Sequence, residues 1–261
     1  MTATWRLVDD VGRTRAAAGQ MAADLALLDD VARGAGPALR LYTWSAAALT
    51  LGRHQPLEDV DGDACARLGV DVVKRPTGGR ALLHGADVTY AVAMARPAGR
   101  DGTVAALYER LAAALVDAMA TLGVDATVGH GEGPSGPACF AAAQGADLRV
   151  AGRKVCGSAQ LQRDGCVLQH GSLRCSPLPM TETDLLRFDD ETARTAACER
   201  LAASTVTLAD LGAPHDARRV ADALACGFAR TLDVEWRSMD HPSETRDHAA
   251  RSVLSLGSPS P

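Results

Sequence analysis

One cysteine is a candidate nucleophile, and the two lysines of the chain are candidate activating cations. Cys139 follows a ten-residue loop of glycine, proline and polar residues (129–138), so its side chain is expected to be accessible. The thiolate is the reactive form, and lowering the thiol pKa by about two units requires roughly 2.7 kcal/mol from a nearby ammonium. Lys74 and Lys154 are the two lysines among the 27 Lys and Arg residues, and each is a candidate for a site that needs an ammonium. The alternative is an inert cysteine, and the other six cysteines lie in apolar patterns that indicate structural roles.

The segment RPTGGR (75–80) is a candidate ligand-binding turn. Pro76 fixes one turn residue, and the two glycines allow the backbone to approach a ligand closely. Arg80 beside that backbone is suited to hold a phosphate or a carbonyl oxygen. No G-K-[ST] follows, which excludes a phosphate-binding P-loop. The alternative is a plain connection between two strands.

The segment GRKVCGSAQ (152–160) predicts a strand with room on its surface. Small residues at 157–159 leave space for a ligand to lie against the sheet. Lys154, at the beginning of this strand, would then reach into a cleft. The alternative for Lys154 is a solvated strand end.

The surrounding elements predict an α+β fold with a mixed or antiparallel sheet packed with helices, because strands come in groups and helices in blocks. Leu107, Leu111, Leu115 and Met119 recur every fourth residue and predict the clearest helix. Asp164-Gly165 predicts a hairpin turn. The helices are expected at 15–34, 60–68, 103–122, 181–188, 191–203 and 214–231. The strands are expected at 38–44 and 47–53 (joined by a tight turn), 70–74, 81–84, 88–95, 124–128, 147–151, 154–162 and 166–173.

Composition excludes several classes of protein. A net charge of −5 argues against a nucleic-acid or anionic-membrane binder, and 3% aromatic residues argue against a base-stacking surface. No apolar run is long enough to span a bilayer, and the first ten residues lack the pattern of a secretory signal. Seven scattered cysteines without a CxxC pair predict reduced thiols and no metal cluster. We therefore expect a cytoplasmic protein.

Four segments, in this order, resemble the biotin/lipoate protein ligase superfamily, and within it the LipM-type octanoyltransferase branch. They are RPTGGRALLHGADVTYAV (75–92), ACF (138–140), GRKVCGSAQ (152–160) and VLQHGSL (167–173). The resemblance covers roughly residues 5–235. It implies a ligase-like catalytic domain over residues 1–236, with its core at about 35–230. The polar tail 237–261 is expected to be disordered.

The resemblance implies transfer of an octanoyl group from octanoyl-acyl carrier protein to a lysine of another protein. The acceptor would be the glycine cleavage H protein or a lipoyl domain, and neither a metal nor another cofactor is expected. Carried over by position, Cys139 is the nucleophile that forms an acyl thioester, and Lys154 lowers its pKa. The implied substrate-binding residues are Arg75, Thr77, Gly78, Gly79, Arg80, His84, Gly157 and Ser158.

Two departures from the family pattern leave alternatives open. Gly85 stands where the family has an acidic residue after the histidine, and AAAQGAD (141–147) replaces a stretch similar to Pro-Ser-Trp-Tyr. One alternative is an ATP- and Mg²⁺-dependent lipoate–protein ligase, in which Lys154 contacts an acyl-adenylate and no cysteine is needed. Another is a catalytically silent acyl-binding or partner-binding homologue. A third is a cysteine hydrolase pairing Cys139 with His130 or His170.

Overall fold

The structure is a computed structural model that describes residues 2–129 and 147–238. Cys139, His130, residues 141–146 and the tail from residue 239 therefore lie outside the described residues. The helices are α1 Ala17–Ala32, α2 Gly62–Leu68, α3 Val104–Thr121, α4 Glu191–Ser204 and α5 Ala217–Leu232. The strands are β1 Ala3–Asp10, β2 Ala38–Tyr42, β3 Ala48–Leu51, β4 Asp71–Lys74, β5 Leu82–His84, β6 Asp87–Ala95, β7 Thr127–Gly129, β8 Asp147–Val150, β9 Arg153–Arg163, β10 Cys166–Arg174 and β11 Val234–Ser238.

The described strands form two sheets. The larger has eight strands in the order β11-β1-β2-β6-β10-β9-β8-β7, and the smaller has the order β4-β3-β5. In the large sheet β1 is parallel to both β2 and β11, whereas the pairs from β2 to β7 are antiparallel. In the small sheet β3 is parallel to β4 and antiparallel to β5. This mixed arrangement of strands and helices confirms the predicted α+β class.

Helices cover the large sheet on both faces. The main core lies between the sheet and α3 with α5, and it buries the predicted leucine row of α3 completely. Burial of each such side chain contributes about 1.5–3 kcal/mol. A second core lies between the sheet and α1. A third core lies against the small sheet and contains Leu185 and Leu186.

Local signals determine the ends of several elements. Thr103 caps α3 by accepting a hydrogen bond from the Ala106 N–H, and Gly123 follows the helix with a φ of 76°. The predicted turn between β9 and β10 is present, with Asp164 and Gly165 both at positive φ. That geometry is the one a two-residue hairpin with the twist of its strands requires.

Two predictions about elements were wrong. Residues 181–188 form only a short 3-10 turn at Glu182–Asp184, because Leu185 and Leu186 pack into the small-sheet core. Strands β2 and β3 do not form a hairpin, since they belong to different sheets. In addition, the strands β1 and β11 were not predicted, because they pair with each other across the length of the chain.

Within the described ranges, no helix combines the length and the apolar character that crossing a membrane requires.

The crossing of α3 and α5 generates a prediction. An added Cβ at Gly227 would lie 2.5 Å from the Ala114 carbonyl oxygen and 2.7 Å from the Ala118 nitrogen, both on the α3 backbone. We expect Gly227→Ala to lower the free energy of unfolding by about 1–3 kcal/mol, because the helices must separate. Urea denaturation measures this. The control Gly62→Ala, at a helical glycine with open space around it, should be neutral or gain up to about 1 kcal/mol. Equal stability of the two variants would contradict the packing.

Candidate active site

A cavity lies between α1, the large sheet and the small sheet. Its described lining comes from three layers of the fold: Met21, Tyr42, Trp44, Thr50, Arg75, Leu82, His84, Thr89, Gly157, Ser158, Ala159, His170, Gly171 and Ser172. The predicted residues Arg75, His84, Gly157 and Ser158 therefore meet at one cavity.

The wall formed by β9 and β10 consists of small residues. Gly171 pairs with Tyr90 on one side and with Ser158 on the other. The Tyr90 hydroxyl reaches across to the Ser158 hydroxyl at 2.7 Å. A Cβ on Gly171 would lie 2.5 Å from the Tyr90 ring and 2.7 Å from the Gly157 carbonyl oxygen, so only glycine fits there. The expected room against this part of the sheet is present.

The glycine turn 76–80 is tied to the cavity wall through Arg75. This guanidinium is buried and donates to the Gly78 carbonyl at 2.8 Å and to the Arg80 carbonyl at 2.7 Å. Gly79 has a φ of 94°, and its carbonyl approaches Gly52 so closely that a Cβ on Gly52 would lie 1.9 Å from it. Gly78, Gly79 and Arg80 are absent from the described lining of the cavity, and their binding roles remain predictions.

His84 belongs to a buried polar chain that ends at Arg75. Its Nδ1 lies 2.8 Å from the Asp87 carboxylate, and its Nε2 lies 3.1 Å from the Thr50 hydroxyl. The same hydroxyl accepts a hydrogen bond from Arg75 at 3.2 Å. Burial raises the pKa of the Asp87 carboxyl, but His84 and the hydrogen bonds from Ser172 and the Gly85 N–H together hold it below its usual range. Asp87 is thus the acidic partner of His84 in this structure.

A second series of buried hydrogen bonds connects the glycine turn to α1. Thr77 Oγ1 lies 2.7 Å from His170 Nε2, and His170 Nδ1 lies 2.9 Å from the Asp24 carboxylate. The Asp24 carboxylate also accepts hydrogen bonds from Arg40 at 2.8 Å and from the Tyr42 hydroxyl at 3.1 Å. Burial alone would raise the pKa of Asp24, but His170 and Arg40 together hold it below its usual range.

Both histidines of the cavity have their two ring nitrogens bonded to protein groups. A general base needs an available ring nitrogen within hydrogen-bond reach of the proton it removes. His170 would have to break a buried bond to Thr77 or to Asp24 before serving Cys139 in that role. The geometry therefore argues against the hydrolase alternative with His170, while His130 lies outside the described residues.

Lys154 is buried and not a solvated strand end. Its side chain is 1% exposed, and its Nζ lies 3.0 Å from a carboxylate oxygen of Asp147. Asp147 is also 1% exposed. It was not predicted as a site residue, because the segment 141–147 was noted only as a departure from the family pattern. Cys139, the predicted partner of Lys154, lies outside the described residues, so their proximity remains a prediction.

The described cysteines divide into two groups. Cys65, Cys156, Cys166 and Cys175 are buried, as expected for structural residues, whereas Cys198 and Cys226 are exposed, contrary to expectation. Both lie on outward positions of α4 and α5. The pKa of Cys156 and that of Cys175 are each raised to about 12, and burial is the main cause. In the described part of the chain, no group of three or more His, Cys, Asp or Glu side chains is placed to hold a metal ion.

The fold and the cavity define an α+β domain with a candidate ligand site, and comparisons with known proteins identify its family. The family model described as the lipoyl protein ligase A/B catalytic domain matches residues 16–229. The chain belongs to this family.

Curated relatives and solved structures agree with this assignment. The chain is 36% identical to a protein named Octanoyltransferase LipM from Kyrpidia tusciae, over 94% of this chain and 93% of that relative. It is 38% identical to a protein of the same name from Symbiobacterium thermophilum, over 90% and 88% of the two chains. A bipartite lipoate protein ligase from Thermoplasma acidophilum has the same fold, with a TM-score of 0.77 at 22% identity over 93% of this chain and 88% of that one.

The close approach of Gly52 to Gly79 generates a prediction. In Gly52→Ala the added methyl overlaps the Gly79 carbonyl, so the glycine turn must move and the hydrogen bond from the Arg53 N–H to the Thr77 carbonyl breaks. Hydrogen–deuterium exchange of peptides covering 50–56 and 75–80 should become at least about tenfold faster, since an opened backbone bond loses protection. Gly36→Ala, at an exposed glycine with open space around it, is the control. Unchanged exchange in Gly52→Ala would contradict the contact.

The burial of the cysteines generates a second prediction. With iodoacetamide at pH 7.5, Cys198 and Cys226 should be alkylated, and Cys156 and Cys175 should react at least about 1,000-fold more slowly than an ordinary exposed thiol. The reason is that their raised pKa leaves almost no thiolate. Peptide mapping by mass spectrometry measures each site separately. Guanidinium-unfolded protein is the control in which all of them should react.

Proposed function

We propose that this protein transfers an octanoyl group from octanoyl-acyl carrier protein to a lysine of a lipoyl-dependent protein, through a thioester on Cys139. The observation that carries the proposal is the similarity, along nearly the whole chain, to proteins named Octanoyltransferase LipM. The small-residue cavity and the buried Lys154–Asp147 pair support it.

The chemistry proceeds in two acyl transfers. The Cys139 thiolate attacks the thioester carbonyl of the carrier, the carrier sulfur leaves as a thiol after taking up a proton, and an octanoyl thioester forms on the enzyme. This exchange is nearly neutral in free energy because one thioester replaces another. The acceptor lysine, as a neutral amine, then attacks the new thioester, so that an amide forms and the Cys139 thiol is released. Amide formation from a thioester is downhill, and neither ATP nor a metal is required.

Each site residue has a place in this proposal. Lys154 stabilises the Cys139 thiolate, and the octanoyl chain occupies the cavity lined by Gly157, Ser158 and His84. Arg75 and Thr77 hold the turn that contains Gly78, Gly79 and Arg80 beside the acyl group. His84 and His170 are bonded on both ring nitrogens, so they shape the cavity and do not transfer protons.

One structural neighbour supports the choice of acceptor. The bipartite lipoate protein ligase of Thermoplasma acidophilum belongs to an archaeal lipoylation system together with its E2 lipoyl domain. For this chain we propose a lipoyl domain or the glycine cleavage H protein as acceptor. The cytoplasm is the proposed location of the reaction.

Intact-mass spectrometry tests the proposal directly. After the protein is mixed with octanoyl-acyl carrier protein in the absence of ATP, its mass should increase by one octanoyl group, and addition of H protein or lipoyl domain should remove the adduct. Cys139→Ala should gain no adduct, because the attacking thiolate is missing. Lys154→Met should acquire the adduct about 100-fold more slowly if the lysine lowers the thiol pKa by about two units.

Three other outcomes would overturn the proposal. Modification of the acceptor only after ATP and a free acid are supplied would identify a ligase. Release of free octanoate would identify a hydrolase. Tight octanoyl binding without any transfer would identify a silent binding homologue.

A further inference from the structure

Three cations flank the glycine turn at one end of the small sheet, and the second lysine of the chain is one of them. Arg53 follows β3, Lys74 is the last residue of β4, and Arg80 is the last residue of the turn itself. Arg53 and Lys74 are exposed, and Arg80 is half-buried. We call these three residues the turn-side cations. The function proposed above uses Arg80 and gives the other two no part.

Backbone contacts bring the turn-side cations together. Because β3 and β4 are parallel, their carboxyl ends lie at the same end of the small sheet, and Arg53 and Lys74 lie there with them. The Arg53 N–H donates to the Thr77 carbonyl at 2.8 Å, so the backbone of Arg53 lies against the turn. The Arg80 carbonyl accepts a hydrogen bond at 2.7 Å from Arg75, which lines the cavity. The turn-side cations therefore lie beside the cavity.

The surrounding chain does not compensate this positive charge. Residues 47–57 and 72–86, which include the ends of β3 and β4 and the turn, contain four Lys or Arg and no Asp or Glu, although the whole chain has a net charge of −5. Within the described residues, no carboxylate forms an ion pair with the turn-side cations. The acidic residue of β4, Asp71, lies at the opposite end of that strand, about 10 Å away along it. Such a local excess of positive charge attracts an anionic partner.

We propose that Arg53, Lys74 and Arg80 form the docking surface for the acyl carrier protein that delivers the octanoyl group. The anionic phosphodiester at the base of the carrier's phosphopantetheine arm lies against these cations. The inference rests on the proposed function, in which the octanoyl chain occupies the cavity beside the glycine turn.

Charge favours the acyl donor over the acceptor as the occupant of this surface. The donor brings the octanoyl group on an arm whose phosphodiester carries a negative charge, and Lys and Arg side chains bind phosphate groups strongly. The acceptor instead brings a lysine, which is an ammonium in water at neutral pH. The turn-side cations would repel that ammonium, so they do not suit the acceptor.

Octanoyl transfer to a lipoyl domain, measured in the full-length chain with two donors, tests this surface. One donor is octanoyl-acyl carrier protein, and the other is octanoyl-pantetheine, which has the same thioester but neither the phosphate nor the protein. In Arg53→Gln/Lys74→Gln, the KM for the octanoyl carrier should rise about fivefold to tenfold, with kcat within about twofold, because two exposed charge contacts are lost. The kcat/KM for octanoyl-pantetheine should not change, which also shows that the variant is folded.

A matched variant and salt separate local charge from overall charge. Arg110→Gln/Arg219→Gln removes the same charge from exposed positions on α3 and α5, which cover the other face of the large sheet from α1, and it should leave the KM for the carrier unchanged. Raising the salt from about 0.05 M to about 0.3 M should raise the KM of the natural chain toward that of Arg53→Gln/Lys74→Gln, since salt screens exposed charges. The KM of Arg53→Gln/Lys74→Gln should respond to salt much less.

Each contrary result has a distinct meaning. An unchanged KM for the carrier in Arg53→Gln/Lys74→Gln, an equal loss with both donors, or an equal loss in the matched variant would show that the docking surface is wrong, while the proposed function stands. A higher KM for the lipoyl domain, with the KM for the carrier unchanged, would assign the surface to the acceptor and overturn the inference. If the natural chain transfers octanoyl groups from neither donor in the absence of ATP, both proposals fail.

Discussion

Compensation of buried charge is the constraint that organises this protein. Asp24, Asp87 and Asp147 are all buried, and each one faces a cationic or histidine partner from another part of the fold. Leaving one member of such a pair unpartnered costs several kcal/mol. The pairs therefore couple α1 to β2 and β10, β5 to β6, and β8 to β9. The cavity lies between the coupling made by Asp24 and the coupling made by Asp87. The coupling made by Asp147 is the one that holds Lys154.

The glycine turn shows how this constraint reaches the ligand site. Hydrogen bonds from Arg75 to the Gly78 and Arg80 carbonyls, and one between Thr77 and His170, restrain its backbone. A turn fixed in advance loses little entropy when a ligand binds, which increases affinity without adding contacts. The Thr77–His170 bond is one of four buried hydrogen bonds that engage the ring nitrogens of His84 and His170. The bonds that hold the cavity wall therefore engage its histidines as well.

The sequence correctly predicted those features that depend only on residues close together in the chain. The leucine row of α3, the Asp164-Gly165 turn and the small residues at 157–159 each carry their own signal, and each is present as expected. The separation of β2 from β3 and the pairing of β1 with β11 depend on residues distant in sequence, so no local pattern contains them. Asp147 is close to Lys154 in sequence, but their contact depends on the register of β8 against β9, which shifts at an irregularity. Asp24 carried a signal that was overlooked, since it is a carboxylate on the same buried helix face as Met21 and Leu28.

The parallel pairing of β1 with β11 has a consequence for the order of folding. Ala3 pairs with Val234, so β1 leaves the ribosome long before the strand that completes its pairing. Until β11 is made, β1 presents one edge without a hydrogen-bonding partner, even after β2 has paired with the other. Open edges of this kind are where nascent chains associate wrongly. The polar side chains of β1, with Arg6 and Asp9 among them, are the ones that discourage such pairing during synthesis.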